Sequence, residues 1–243
     1  MTRLHEALAF EGTPPGLNGF DWGREAAERV EERMRSDGAH DAGHLARVYQ
    51  NARRIARGER TRGEHLDWEV VAAAVVFHDV VNAPKDSDAR ADASARSAKV
   101  AEDFFEVRDL LGDERRELVC EAIEQHSYSR GLEPNSAESA ILQDADRLEA
   151  IGAVGAARCF WVSGSMDGGL AHPTDPFARA RDRDDTAFAV DHFFEKLLEL
   201  RGTFRTATGR RLAEERHRFL VDFLEQFADE VGVDPPSGFE TRE

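Results

Sequence analysis

The chain has 243 residues, 41% of them hydrophobic and 33% charged, with a formal net charge of -16 from 32 basic and 48 acidic side chains. That is enough chain for one sizeable domain or two small ones. The acidic excess argues against a general nucleic-acid or membrane-surface binder, because both partners are anionic; a small phosphorylated ligand stays open, since a metal and a few arginines can make one pocket locally positive.

Lys85, Lys99 and Lys196 are the only lysines, against 29 arginines. A GC-rich genome favours arginine, and an acidic, lysine-poor surface is also expected of a salt-adapted source. Stability unchanged between low and molar potassium chloride would contradict the second explanation. The segment MTRLHEALAFEGTPPG has no sustained apolar core and no signal-peptide pattern. No apolar run approaches membrane-spanning length. Cys120 and Cys159 sit in apolar helical contexts with no close partner. Together these lead to the expectation of a cytoplasmic protein with two small buried thiols and no membrane partner.

In chain order, residues 1–21 read as an irregular arm punctuated by Pro14, Pro15, Gly16 and Gly19. A helix is predicted over about 22–36, broken at Ser36-Asp37-Gly38. Leu45, Val48, Ala52 and Ile55 recur at helical spacing and predict an amphipathic helix over about 40–57, followed by a polar connector at 58–63. Residues 70–77, VVAAAVVF, are eight consecutive apolar residues directly followed by His78 and Asp79. A helix with no polar face is normally buried on all sides, so the central helix is placed at about 67–80. Asn82-Ala83-Pro84 predicts a turn.

Helices are predicted over about 88–107 (Ala95, Ala98, Ala101, Phe105) and 113–127 (Leu118, Val119, Ala122, Ile123), the second closed by Gly131 to Pro134. The next begins near Ser136, carries Ile141, Leu142, Leu148 and Ile151, and bends near Gly152 or Gly155 before ending about 163. Residues 164–185, rich in glycine, proline, aspartate and arginine, read as a long exposed loop over the site, a candidate lid. Two last helices follow over about 186–201 and 209–231, the latter with Leu212, Phe219, Phe223 and Phe227 as apolar positions, and a frayed tail over 232–243. No alternating strand pattern and no internal repeat occurs, so the expected fold is all-α, one domain over 22–231.

Four places concentrate chemistry. His40 and His44 are four apart on one helix face, with Asp41 beside them; His78 and Asp79 end the apolar helix; His126 ends another; Asp144 and Asp146 lie in the otherwise apolar ILQDADRLEAIGAVGAAR. An ionisable pair at the end of a buried helix is costly unless it is hydrogen-bonded or holds a metal. Imidazoles and carboxylates from separate helices, with no thiolate close in sequence, suit a divalent ion. They favour manganese, iron, nickel or cobalt over magnesium, and zinc would also fit. Asp144 and Asp146 point about 200 degrees apart on a helix, so one is expected to be a ligand and the other a supporting or capping group.

HDAGHLARV (40–48), FHDVVNAPK (77–85), HSYSRG (126–131), DADRLEAIGAVGAAR (144–158), HFFEKLLEL (192–200) and RTATGRRLAEERHRFL (205–220) stand in this order. The series resembles the HD-domain superfamily of metal-dependent phosphohydrolases, and more narrowly its small bacterial and archaeal YedJ-type members, over residues 22–231. The resemblance implies a helical HD-domain fold with His44, His78, Asp79 and Asp146 as metal ligands, Asp144 being the substitute for Asp146. His44 is preferred to His40 because the family's first histidine directly precedes the xxRV segment. It further implies hydrolysis of a small phosphate ester, a nucleotide being the expected substrate, by a metal-activated water. Asp79, His126 and Lys85 are then the catalytic candidates, and His40, Arg130, Arg147 and Arg158 the substrate-binding ones. Two alternatives stand beside this reading: a metal-stabilised nucleotide-sensing module without turnover, and a two-metal HD-domain oxygenase. No nucleic-acid partner is expected, and no sequence feature sets the oligomeric state.

Overall fold

In the computed structural model the described residues are 4–33, 42–81 and 92–235; the predicted turn at 82–84, His40, Asp41 and Lys85 lie outside them. Among the described residues the chain is helical and has no strand, only a lone parallel bridge between Gly169 and Phe188. No described helix is long and apolar enough to cross a membrane.

The chain divides into two compact units, where the sequence pattern had suggested one domain. Unit 1 is Met1–Arg147 with Arg205–Gly209, and unit 2 is Leu148–Phe204 with Arg210–Glu243. All three boundaries fall inside or beside helices, so no linker composition marks them.

Unit 1 contains α1 (Leu4–Ala7), α2 (Gly23–Arg33), α3 (Ala42–Thr61), α4 (Trp68–Phe77), α5 (Ala93–Val107), α6 (Gly112–Gln125) and most of α7 (Ala137–Glu149). Helix α4 is its axis. Every residue from Val70 to Phe77 is fully buried, because α3, α5 and α6 all pack around it. Asp67 starts this helix by accepting hydrogen bonds from the Glu69 and Val70 amides, and Arg115 of α6 grips its carboxylate at 2.7 and 2.8 Å. Phe77 closes the other end against Phe104 and Phe105 of α5, with ring centroids 5.2 and 5.6 Å away.

The N-terminal arm is more than irregular chain. It includes α1 and a 3-10 turn at Leu17–Gly19, and Leu4, Leu8 and Leu17 are buried. Its carbonyls at Glu11, Pro14 and Pro15 accept from Arg53 (2.8 Å each from two of its nitrogens), Tyr49 (3.2 Å) and Trp68 (3.1 Å). This irregular backbone has no ladder to satisfy those carbonyls, and long side chains of α3 and α4 supply the donors.

Unit 2 holds the end of α7, α8 (Gly152–Ser165), α9 (Ala189–His192) and nearly all of α10 (Ala207–Val231). The predicted bend is a full break, with Gly152 at φ +77° directly before the rest of α8. Past α9 the expected helix over 186–201 is irregular, passing through a π turn at Phe193–Leu197 and a 3-10 segment at Glu199–Thr203. The 166–188 segment is non-helical but internally braced. Arg181 pairs with buried Asp191 at 2.6 and 2.8 Å, Asp191 also accepts from the Asp184 amide, and Gly169 exchanges backbone bonds with Ala187 and Ala189. On α10 the buried positions are Leu212, Ala213, His217, Leu220, Leu224 and Ala228, whereas Phe219, predicted on the apolar face, is 42% exposed. The Phe219, Phe223, Phe227 row and the Leu220, Leu224, Ala228 row run side by side at the same four-residue spacing, and spacing alone does not separate them.

Candidate metal centre

Four side chains from three helices of unit 1 and the residue after one of them meet in a small volume. His44 is near the start of α3, His78 caps the C-terminus of α4 with Asp79 next in line, and Asp146 lies in the last turns of α7. His44 Nε2 stands 3.3 Å from His78 Nε2, 3.6 Å from Asp79 Oδ2 and 3.8 Å from Asp146 Oδ1. His78 Nε2 is 3.5 Å from Asp79 Oδ2 and 4.0 Å from Asp146 Oδ1. His126, at the C-terminus of α6, brings its Nε2 to 3.4 Å from the other oxygen of Asp79.

Backbone contacts fix the ring orientations. His78 Nδ1 donates to the Val75 carbonyl at 2.8 Å, and His126 Nδ1 donates to the Ile123 carbonyl at 2.6 Å. Each imidazole is thereby turned back on its own helix, three residues upstream, and presents Nε2 to the cluster. With its proton committed to Nδ1, neutral His78 has only a lone pair at Nε2. Two helix C-termini, each carrying partial negative charge, also converge here.

Burial pushes the His78 imidazole down to about 4, against the opposing pull of Asp79, so it is neutral at physiological pH. Burial alone would raise the Asp79 carboxyl, but His78, His126 and His44 together hold it well below its ordinary value. Asp146 is likewise lowered: burial opposes ionisation, and in the acid range where Asp146 titrates the protonated forms of His78 and His44 outweigh it. His126 shifts upward, burial being overcome by its hydrogen bond to Asp79 and by the Asp79 and Asp146 charges.

This arrangement fits a cation on its own chemistry. The nitrogen–oxygen gaps of 3.5 to 4.0 Å among His44, His78, Asp79 and Asp146 exceed good hydrogen-bond lengths. They match the spacing of roughly 3 to 4 Å between ligands that each lie about 2 Å from one ion. His44, His78 and Asp79 each offer a ligand atom within 4.8 Å of the others, a group able to hold a metal.

Asp144 faces elsewhere. Its carboxylate accepts from the Arg205 amide (2.8 Å), the Thr206 amide (2.8 Å) and the Thr206 hydroxyl (2.7 Å), at the start of α10. Gly209 is required beside it, because a Cβ there would overlap Asp144 Oδ2. The sequence signal for this anchor is the TATG run at 206–209, sixty residues away and unreadable without the fold. Among the substrate-binding candidates, Arg147 is buried with its guanidinium 5.6 Å from the centre of the Tyr128 ring. Arg130 donates to Ser94 Oγ at 3.1 Å and to the Glu124 carbonyl. Arg158 belongs to unit 2, where it pairs with fully buried Glu149.

Comparison with known proteins agrees with the geometry. The model of the HD domain family matches residues 41–151, a span that includes all four members of the cluster and His126. YpgQ of Bacillus subtilis (strain 168) is 36% identical over 200 residues, covering 80% of this chain and 86% of that protein. The chain belongs to the HD-domain family. Its fold is similar to the crystal structure of Bacillus subtilis YpgQ in complex with ADP (TM-score 0.61, 29% identity, 90% of this chain and 98% of that one). It is also similar to an HD-superfamily hydrolase from Bacillus thuringiensis (TM-score 0.63, 27% identity, 86% and 97%).

Proposed function

We propose that this protein is a divalent-metal-dependent phosphohydrolase acting on a small phosphate ester, with a nucleotide as substrate. The observation that carries this reading is the convergence of imidazole and carboxylate ligand atoms at 3.3 to 4.0 Å, beside the C-termini of α4 and α6, whose dipoles favour a cation. Family membership and the hydrolase relative support the reaction class; the ADP bound to YpgQ supports the nucleotide.

His44, His78, Asp79 and Asp146 would hold the ion. Nitrogen and oxygen ligands without thiolate favour manganese, iron, nickel or cobalt, with zinc compatible and magnesium less suited to histidine. When bound, such an ion supplies Lewis acidity toward phosphoryl oxygens and lowers the pKa of water. Asp79 divides its two oxygens, Oδ2 toward His44 and His78 and Oδ1 toward His126. His126 has Nδ1 committed to the Ile123 carbonyl, so a second proton would sit at Nε2, where Asp79 Oδ1 faces it and favours it. That proton is available to a leaving oxygen, the role assigned to His126. Arg147, next to Asp146, and Arg130 and Lys85 are the residues proposed to neutralise phosphate charge.

The test is turnover of a generic phosphate ester by full-length protein with added manganese, in wild type and in Asp79→Ala. Metal-dependent hydrolysis by the wild type, absent from the variant, is expected. Nucleotide and metal binding without turnover would instead identify a sensing module.

A further inference from the structure

We propose that Asn51 is a positioning residue: by holding the Ala145 carbonyl it sets the separation of His44 from Asp146, and with it the affinity of the cluster for a cation. This inference rests on the metal-centre reading above. Asn51 follows His44 by seven positions on α3, two helical turns, so both side chains lie on one face. Its Nδ2 donates to the Ala145 carbonyl at 3.0 Å, and Ala145 is the residue before Asp146. Asn51 is 5% exposed and Ala145 is fully buried, so water cannot replace the bond.

The residue type is costly in that place. Asparagine is a poor helix former in a helix interior, and a buried amide is unfavourable unless it is bonded. What it secures is a helix pair that packing does not: α3 packs on α4, while α3 and α7 share little backbone contact. Two other polar side chains in the middle of α7 point to other elements. Gln143 donates to the Gln125 and Leu132 carbonyls at 2.7 and 2.8 Å, next to His126, and Asp144 receives the start of α10. Asn51 therefore ties the histidine-bearing helix to the aspartate-bearing one, within one residue of the ligand.

The experiment uses the full chain and two variants of the same helix. Asn51→Leu keeps the branched heavy-atom skeleton and removes the donor. Arg53→Met, two residues on, breaks hydrogen bonds to the N-terminal arm at the Glu11 and Pro14 carbonyls. Manganese dissociation constants from titration calorimetry are compared with metal-free melting temperatures. Both variants should melt lower than wild type, but only Asn51→Leu should bind manganese more weakly, by about 10-fold or more. Equal destabilisation with manganese affinity kept within about twofold of wild type in Asn51→Leu would overturn the proposal. If Asn51→Leu does not fold, Asn51→Asp keeps the shape while setting an acceptor against the Ala145 carbonyl, and carries the same expectation. Wild-type protein that does not bind manganese, or Asp79→Ala that binds it as well as wild type, would mark failure of the metal-centre reading itself and remove the basis of the proposal. Asn51→Leu alone binding normally would leave that reading standing.

Discussion

Two buried polar regions of unit 1 lie two residues apart along α7 and resolve their charge in opposite ways. At the start of α10, Asp144 is surrounded by donors from Arg205 and Thr206, and Glu59 accepts from the Thr208 amide at 2.7 Å. Around Asp146 the neighbours are imidazole nitrogens and another carboxylate, at distances too long for good hydrogen bonds. Burial of a carboxylate therefore does not mark a ligand; the nature of what faces it does. The first region is complete as protein, and the second is one that a cation would complete.

The sharpest way to break this contrast is Asp79→Ala, which removes the carboxylate that faces His44, His78 and His126. Metal-dependent hydrolysis should fall by about 1000-fold or more, roughly 4 kcal/mol of transition-state stabilisation, while the metal-free fold persists. Phosphoesterase assays beside circular dichroism would show it. Activity retained in the variant would remove the cluster from the chemistry.

A paired exchange on α7 comes next. Asp144→Ala leaves the Arg205 and Thr206 donors buried without an acceptor and should cost about 2 to 4 kcal/mol of metal-free stability in urea unfolding, with manganese affinity nearly unchanged. Asp146→Asn should do the reverse, weakening manganese by about 100-fold in calorimetry with a smaller loss of metal-free stability than Asp144→Ala shows. Finding the two effects exchanged would refute the division drawn here.

Acid supplies a smaller effect. With its folded-state pKa near 4, below the ordinary 6.5, His78 takes up its proton in the unfolded chain first. The unfolded state then binds more protons between those values, so His78 makes metal-free stability fall as pH drops from about 6.5 toward 4. His126 has the opposite sign: its raised pKa contributes stability below the unfolded value that is lost as pH rises through the folded one. Unfolding midpoints in chelator at pH 7 and 4.5 should lose less in His78→Asn than in wild type, by on the order of 2 to 3 kcal/mol, and lose more in His126→Asn. A His78→Asn slope as steep as wild type would argue against a neutral buried imidazole.

Smallest is Asp67→Ala, which removes the cap of α4 at the end remote from His78. A loss of about 1 kcal/mol in chemical unfolding, with manganese affinity unaltered, is expected. A change in metal affinity from this end would mean that α4 transmits strain along its length.

Much of this was legible in the chain. VVAAAVVF followed by His78-Asp79 identifies a buried helix with an ionisable end, because eight apolar residues leave no polar face to turn to solvent. The other helices follow from apolar spacing. What pattern could not supply was partnership. Asp144 and Asp146 occupy equivalent apolar surroundings, and their division of labour is decided by Thr206 and Gly209, far along the chain. The arm was underestimated for the same reason: Pro14 and Pro15 signal irregular backbone but not the α3 donors that hold it. The unit boundary at Arg147 escaped because it falls inside a continuous helix.

The most direct measurement is anomalous X-ray scattering from crystals of the full chain grown with manganese. A single strong peak about 2 to 2.3 Å from His44 Nε2, His78 Nε2, Asp79 and Asp146, with Asp144 still bonded to Thr206, is the predicted result. Scattering located elsewhere, or the two imidazoles turned apart with no ion between them, would contradict the account.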